Sequence, residues 1–359
     1  MRFKRVGARN FLRFDKGENK NKPIFGDNGA FSYSNLEEPP YTVKDTVEFY
    51  GDGQFTHGCS VDHIITEFDS NVKNLDGGSP QSKKRYEITQ QLASEFITDS
   101  KKIGKNFTAI GVLQGWSPDS LGHAAINLVK MGYRYLAIGG LVPLRSQEIH
   151  LAIAAVEDAV RKWPSVKLHL LGFAKADDLH EFKKYKKIAS FDSTSPLIKA
   201  FKDSTKNYFL RNPTGKMKYF TAIRIPQAIS NNTLKNHAKS GLYKQEHLLK
   251  LEKNALDALR SYSKNKMHIE TTLDAIISYS EPLHNRKGMS EEVLNRKLHN
   301  LRSKYQKTLE DRPWEKCGCK ICKEIGIETI IFRSSNRNKR RGFHNLLTYH
   351  EHLKRIRKL

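Results

Sequence analysis

The chain has 359 residues, enough to bury a sizeable core as one large barrel domain with an insertion or as two domains. Its 62 Lys and Arg against 38 Asp and Glu leave a net charge of +24, which makes a polyanion such as nucleic acid the leading expected partner. No apolar run approaches the ~20 residues that span a bilayer, so no membrane partner is expected, and the basic N-terminus lacks the apolar h-region of a signal peptide.

Residues 1–22 are polar and basic. PIFGDNGAF (23–31) reads as a short strand breaking at a Gly-Asp-Asn-Gly turn, in which Asp27 and Asn28 are residue types that favour such turns. The isolated Cys59 in the loop-rich stretch that follows reads as a small buried thiol. HIITEFDSN (63–71) is the next strand, with Asp69 at its C-terminal end, whereas Asp62 and Glu67 read as turn or surface groups. A segment rich in Gly, Ser and Asn (70–82) leads to an amphipathic helix with Tyr86, Thr89, Leu92, Ala93, Phe96 and Ile97 on one face.

The stretch 109–141 is one complete βαβ unit. AIGVLQGW (109–116) is an apolar strand ending in Gln114-Gly115, and Ser117 and Pro118 follow as helix N-cap and first-turn residue. Leu121, Ala124, Ala125, Leu128 and Val129 recur with helical spacing, and Gly132 sits where a C-terminal cap belongs. RYLAIGGL (134–141) is a second buried strand ending in Gly139-Gly140. Small or polar groups thus mark both strand C-termini, where parallel α/β sheets bind ligands.

Beyond it, Ile149, Ala152, Ile153, Val156 and Val160 form another helix face. KLHLLGFA (167–174) is a strand, DDLHEFKKYK (177–186) a short helix, KIASFDSTSP (187–196) a strand ending in Phe-Asp, and YFTAIRIPQ (219–227) a further strand. Alternating strands and helices with polar groups at the strand ends imply an α/β fold, a TIM-type (β/α)8 barrel. Residues 228–312 are rich in Lys, Asn, His and Leu, with helical spacing at Leu248, Leu251, Leu256 and Leu259. They read either as a solvated helical insertion or as a surface that grips nucleic acid.

Four cysteines, three of them in Cys317-Gly-Cys319-Lys-Ile-Cys322, argue for a metal site in a reducing compartment, hence the cytoplasm, and against disulfides. With His344 they form a C-x-C-x2-C…H set. Three thiolates and one imidazole suit tetrahedral zinc, and four protein ligands mark a structural ion. His350 and His352 are the fallback fourth ligands. Arg333, Arg337, Lys339, Arg340 and Arg341 lie between Cys322 and His344, either as a solvated loop or as a zinc-fixed basic loop for phosphates. The expected domains are 1–227 (barrel with the active site), 228–312 (basic helical insertion) and 313–359 (zinc-binding subdomain and C-terminal helix).

GVLQG followed by LAIGGL resembles the base-binding segments GIVQGG and YAIGGL of the tRNA-guanine transglycosylase superfamily, and the zinc spacing is close to that family's. Its Asp-Ser-Gly-Gly-Phe loop is matched by Asp27-Asn28-Gly29-Ala30-Phe31, its FDE by Asp69 and its FDCVMPTR by Asp192 with Pro196. The resemblance implies that Asp192 is a covalent nucleophile and Asp27 a general base. It also implies that Asp69, Gln114 and the backbone at Gly139, Gly140 and Leu141 hold a guanine-like base. The short N-terminus, the GDNGAF variant, Leu197-Ile198 where tRNA enzymes have Thr-Arg, and the 228–312 insertion look like the DNA-modifying, DpdA-type branch. That branch exchanges guanine in DNA for a 7-deazaguanine such as 7-cyano-7-deazaguanine. DNA is therefore favoured over tRNA, with an inactive zinc-stabilised nucleic-acid-binding module as the non-enzymatic reading. Nothing in the sequence sets an oligomeric state.

Overall fold

The central unit folds as its spacing predicts. Ser117 caps its helix by accepting a bond from Ser120 N at 3.1 Å, Pro118 opens the helix, and Gly132 ends it in the left-handed conformation. Leu121, Ala124, Ala125, Leu128 and Val129 are all buried. The computed structural model describes residues 2–358 apart from Ala174, Ala176, Asp177 and 213–216. The end of the predicted strand 167–174 and the start of the predicted helix 177–186 therefore lie outside the described residues.

The chain divides into two compact units, Met1–Ser193 and Thr194–Leu359. The first carries strands β1 (Phe25–Gly26), β2 (His57–Cys59), β3 (Thr108–Leu113), β4 (Tyr135–Ile138), β5 (Lys167–Leu170) and β6 (Ile188–Phe191). They form one parallel six-stranded sheet in sequential order. Helices α1 (Arg2–Phe11), α2 (Val43–Asp52), α3 (Pro80–Asp99), α4 (Pro118–Met131) and α5 (Ser146–Ala159) accompany it. Strand β4 is buried along its whole length, as a parallel strand covered on both faces must be.

The sheet is curled as half of a barrel. Four strands apart in a flat sheet, β1 and β5 would lie ~19 Å from each other. Instead the Phe25 ring stacks on His169 with centroids 5.4 Å apart, on His57 at 4.5 Å, and meets Tyr135 edge-on at 6.1 Å. Side chains from β1, β2, β4 and β5 therefore share one interior, which Cys59, Ile110, Val112 and Ala137 fill.

Two predicted strands are shorter than the sequence implied. Only Phe25 and Gly26 pair in the first, and a 3-10 turn (Ala30–Tyr33) follows. The second pairs at His57–Cys59, upstream of the predicted 63–71. Past Ser60 the backbone donors meet side chains instead, His63 N donating to Thr89 Oγ1 at 3.0 Å and Ile65 N to Gln114 Oε1 at 3.2 Å. That segment crosses the end of the sheet and adds no strand.

The second unit begins with α6 (Ser195–Lys202) and an antiparallel pair, β7 (Tyr208–Arg211) and β8 (Met217–Phe220). The predicted strand 219–227 is split between β8 and β9 (Ile223–Arg224), which pairs in parallel with β10 (Ile331–Phe332). Helices α7 (Asn232–Lys239), α8 (Gln245–Ser263), α9 (Ile269–His284) and α10 (Glu291–Asp311) make up the insertion, followed by α11 (Pro313–Lys316), α12 (Lys320–Ile325) and α13 (Ser335–Lys358). Tyr208, Ile223, Leu248, Leu259, Leu273, Tyr305, Trp314, Cys322 and Ile330 share one core, so the sequence-based boundaries at 227 and 312 fall inside it. No helix among the described residues is long and apolar enough to cross a membrane.

Candidate active site and metal centre

Asp27 and Asp192 follow the two edge strands of the curled sheet, β1 and β6, and lie close enough for the charge of Asp192 to raise the pKa of Asp27. Asp27 is exposed, yet the protein around it makes desolvation the largest influence, and its carboxyl sits above the usual range. The N–H groups of Gly29 and Asn28 only partly offset this.

Asp192 is shifted the other way. Desolvation again works upward, but His169 and the backbone of Gly172 outweigh it and hold the carboxyl below the usual range. Gly172 N donates to Oδ1 at 2.7 Å, and His169 Nε2 lies 3.4 Å from the same oxygen. The other ring nitrogen of His169 lies 2.6 Å from Ser190 Oγ, which is in turn 2.6 Å from the Tyr135 hydroxyl. Three neighbouring strands thus orient one carboxylate. The alternation Leu168-His169-Leu170 was the signal for it, because it turns a polar ring to the opposite face from two buried leucines.

Gln114, at the end of β3, is buried and fully oriented. Its Nε2 donates to Asp62 Oδ2 at 2.7 Å while its Oε1 accepts from Ile65 N at 3.2 Å. Asp62, read from sequence as a turn or surface group, is instead buried, because it sits among Val61, Ile64 and Ile65 where the chain crosses the sheet end. Burial pushes its carboxyl up to about 7 against the pull of the Gln114 bond.

The two glycines after β4 serve this glutamine. A Cβ on Gly139 would stand 2.1 Å from Gln114 Nε2, and Gly140 has a φ of +73° beside the Ile65 carbonyl. Leu141 follows, buried. Gly139→Ala is expected to destabilise the protein by about 1–3 kcal/mol, the cost of overpacking a close contact. An unshifted urea midpoint would mean that the carboxamide moves aside freely. Asp69 is exposed, with its N–H on Trp116 O at 2.8 Å and its Oδ1 accepting from Asn71 N at 2.9 Å. Among the described bonds it touches neither Gln114 nor the glycines.

In the second unit the thiols of Cys317, Cys319 and Cys322 and a nitrogen of His344 lie within 4.8 Å of one another. His344 Nδ1 is 3.7, 3.4 and 3.3 Å from the three sulfurs. Its Nε2 donates to the Phe209 carbonyl at 2.7 Å, which leaves the Nδ1 lone pair for a metal. Tyr208 stacks on the imidazole at 4.1 Å and brings its hydroxyl to 3.1 Å from Cys322 Sγ. This donor set and its outer bonds fit a closed four-ligand ion.

The basic run is helical and largely spent indoors. It belongs mostly to α13, whose buried stripe includes Arg341, His344, Asn345 and Thr348. Arg341 is fully buried, donating to Ala200 O at 2.6 Å and Asn338 Oδ1 at 2.8 Å. Arg333 pairs with Glu252 and Arg337 with Glu328. Lys339 and Arg340 are the exposed members, so the expected basic loop reduces to two cations.

No protein-family profile matches the chain. Over 354 residues it is 37% identical to a DNA-guanine transglycosylase of Salmonella montevideo, an alignment covering 98% of this chain and 80% of that protein.

Proposed function

The chain belongs to the tRNA-guanine transglycosylase superfamily, in its DNA-modifying, DpdA-type branch, and on that premise we propose that it exchanges guanine in DNA for a 7-deazaguanine base, 7-cyano-7-deazaguanine, through a covalent Asp192 glycosyl intermediate. The observation that carries the reading is the pair of carboxylates with opposed pKa shifts at the ends of β1 and β6. Within this reading the six strands are the larger part of a (β/α)8 barrel.

The target guanine first leaves the stack, at a cost of a few kcal/mol. Asp192, kept ionised, attacks C1′, and its bonds on Oδ1 leave Oδ2 as the attacking oxygen. The C1′–N9 bond breaks, and guanine departs with the electron pair and takes a proton from Asp27, whose raised pKa keeps one available and which is left ionised. Asp27, made more basic by its surroundings, takes the N9 proton of the incoming base. That nitrogen then attacks C1′, and the ester electrons return to Asp192. Gln114 and the backbone at Gly139, Gly140 and Leu141 hold the flat base in turn, and Asp69, bonded to none of them, is added to the set on the family resemblance alone. Zinc is assigned to Cys317, Cys319, Cys322 and His344, where it supplies structure and no chemical step.

The two steps are expected to differ in pH dependence. A depressed pKa keeps Asp192 ionised as pH falls, so adduct formation persists to low pH. Exchange is lost earlier, as pH falls through the raised pKa of Asp27. Quantifying the trapped adduct and single-turnover exchange across pH checks this, and one shared acid limb would remove the assignment of Asp27. Nucleoside analysis of DNA and tRNA from cells with and without the protein tests the substrate. A 7-deazaguanine that rises in tRNA alone replaces the DNA reading with the tRNA one.

A further inference from the structure

The second unit holds a cavity of about 430 Å³ among the end of α6, β9, the end of α9, α10 and β10. Its floor is aromatic, with Tyr305 buried and Phe332 half-buried. Its polar lining is cationic. The Arg224 guanidinium lies 5.8 Å from the Phe332 ring centroid, and no carboxylate pairs with it among the described residues. Lys202 is exposed beside it, and His284 completes the lining at the end of α9.

The one acid in the lining, Asp203, forms no ion pair with Arg224 or Lys202 among the described residues. Asp203 accepts from Thr205 N at 2.8 Å, Thr205 Oγ1 at 3.2 Å and Lys206 N at 2.8 Å, within its own turn. Burial first, and then Arg224, Lys297 and Arg286, hold the His284 pKa down, so every charged neighbour that acts on this ring is a cation. Arg224 and Lys202 are exposed, and no carboxylate pairs with either among the described residues, so both are free to meet an anion beside the aromatic floor. A phosphate with a flat nucleoside attached satisfies both features.

On the footing of the DNA-modifying function, we propose that this pocket takes a backbone phosphate of the nucleic-acid strand, with the attached nucleotide resting against the exposed part of Phe332. Arg224 is the principal phosphate donor and Lys202 the rim cation. The insertion that supplies α9 and α10 then contributes a defined contact for the strand and not only diffuse basicity.

The test compares wild type, Arg224→Gln and Lys202→Gln by fluorescence anisotropy on labelled duplex DNA from about 50 to 200 mM salt. Arg224→Gln is expected to bind roughly tenfold more weakly or worse, the loss of one charge-assisted hydrogen bond. Its log–log salt slope should be shallower by about 0.9, one phosphate's worth. Lys202→Gln, an exposed change that spares the fold, should share the shallower slope. Melting temperature and metal content should match wild type. Equal affinity and slope in all three proteins overturns the pocket. So does a free 5′-mononucleotide that binds through Arg224 while DNA affinity stays unchanged. Covalent capture of wild type on DNA is scored separately, because its absence counts against base exchange while the salt slopes still decide the pocket. A wild type with affinity for neither DNA nor tRNA overturns both.

Discussion

Asp192→Ala is expected to lose base exchange by a factor on the order of 10⁴ or more, together with every trace of covalent adduct, while folding normally. Asp192 is half-exposed at the end of β6, so its removal empties no core position. It does leave His169 without the carboxylate beside its Nε2 and Gly172 N without its acceptor. A single-step displacement would require the incoming base to enter opposite the departing one, with a second set of base-holding groups. On the proposed reading, the described strand ends offer one such set, built around Gln114 and its two glycines, so the bases would use it in turn while the sugar is held covalently. Denaturing gels of enzyme with labelled duplex DNA, run without incoming base, read this directly. A band that survives in Asp192→Ala would move the nucleophile elsewhere. His169→Phe gives the graded companion: a loss of roughly tenfold to a hundredfold from a misplaced carboxylate. The acid limb of adduct formation should also move to higher pH, because one of the groups depressing the Asp192 pKa is gone. A variant that merely folds poorly would lose yield without moving that limb.

What the sequence revealed, and what it hid, follows the range of the interactions concerned. Helix α4 was legible to its caps because Ser117, Pro118 and Gly132 act on their own turn, and its buried face follows from spacing alone. Cys317, Cys319 and Cys322 were legible for the same reason, since their spacing is itself the site. Strand β1 falls inside its predicted stretch but pairs over only two residues, whereas β2 was misplaced, because past it the chain gives backbone donors such as Ile65 N to side chains. The Asp62–Gln114 bond joins residues in different βα units, and nothing local to Asp62 separates a buried partner from a turn residue. The alternation Leu168-His169-Leu170 marks His169 as facing away from its leucines, but nothing local names its partner Asp192, which follows the next strand. Arg341 shows the limit of reading charge: a run of cations looks solvated, yet helical spacing turns this one inward with His344 and Asn345.

Cys319→Ser is expected to release the metal and unfold much of the second unit. A structural zinc in a small site contributes about 10–16 kcal/mol at neutral pH, comparable to or larger than the ~5–15 kcal/mol that holds a whole domain folded. The ligands are not peripheral here. Cys322 belongs to the same core as Tyr208, Trp314, Ile327 and Ile330, and Cys317 and Cys319 pack against it. Cys319 also caps α12, its sulfur accepting from Cys322 N at 3.3 Å. Without the ion, the buried His344 keeps its bond to Phe209 O, but nothing holds the three sulfurs around its Nδ1. Metal analysis should find about one zinc per wild-type chain and none in the variant. Proteolytic cleavage sites should appear within 194–359, and a strong chelator should reproduce both effects in the wild type. Cys59→Ser is the control, because Cys59 is buried in the interior of the curled sheet and belongs to no ligand set among the described residues. It should lose some stability through packing and keep its zinc. A Cys319→Ser protein that retains about one zinc and the wild-type melting temperature would sink the assignment.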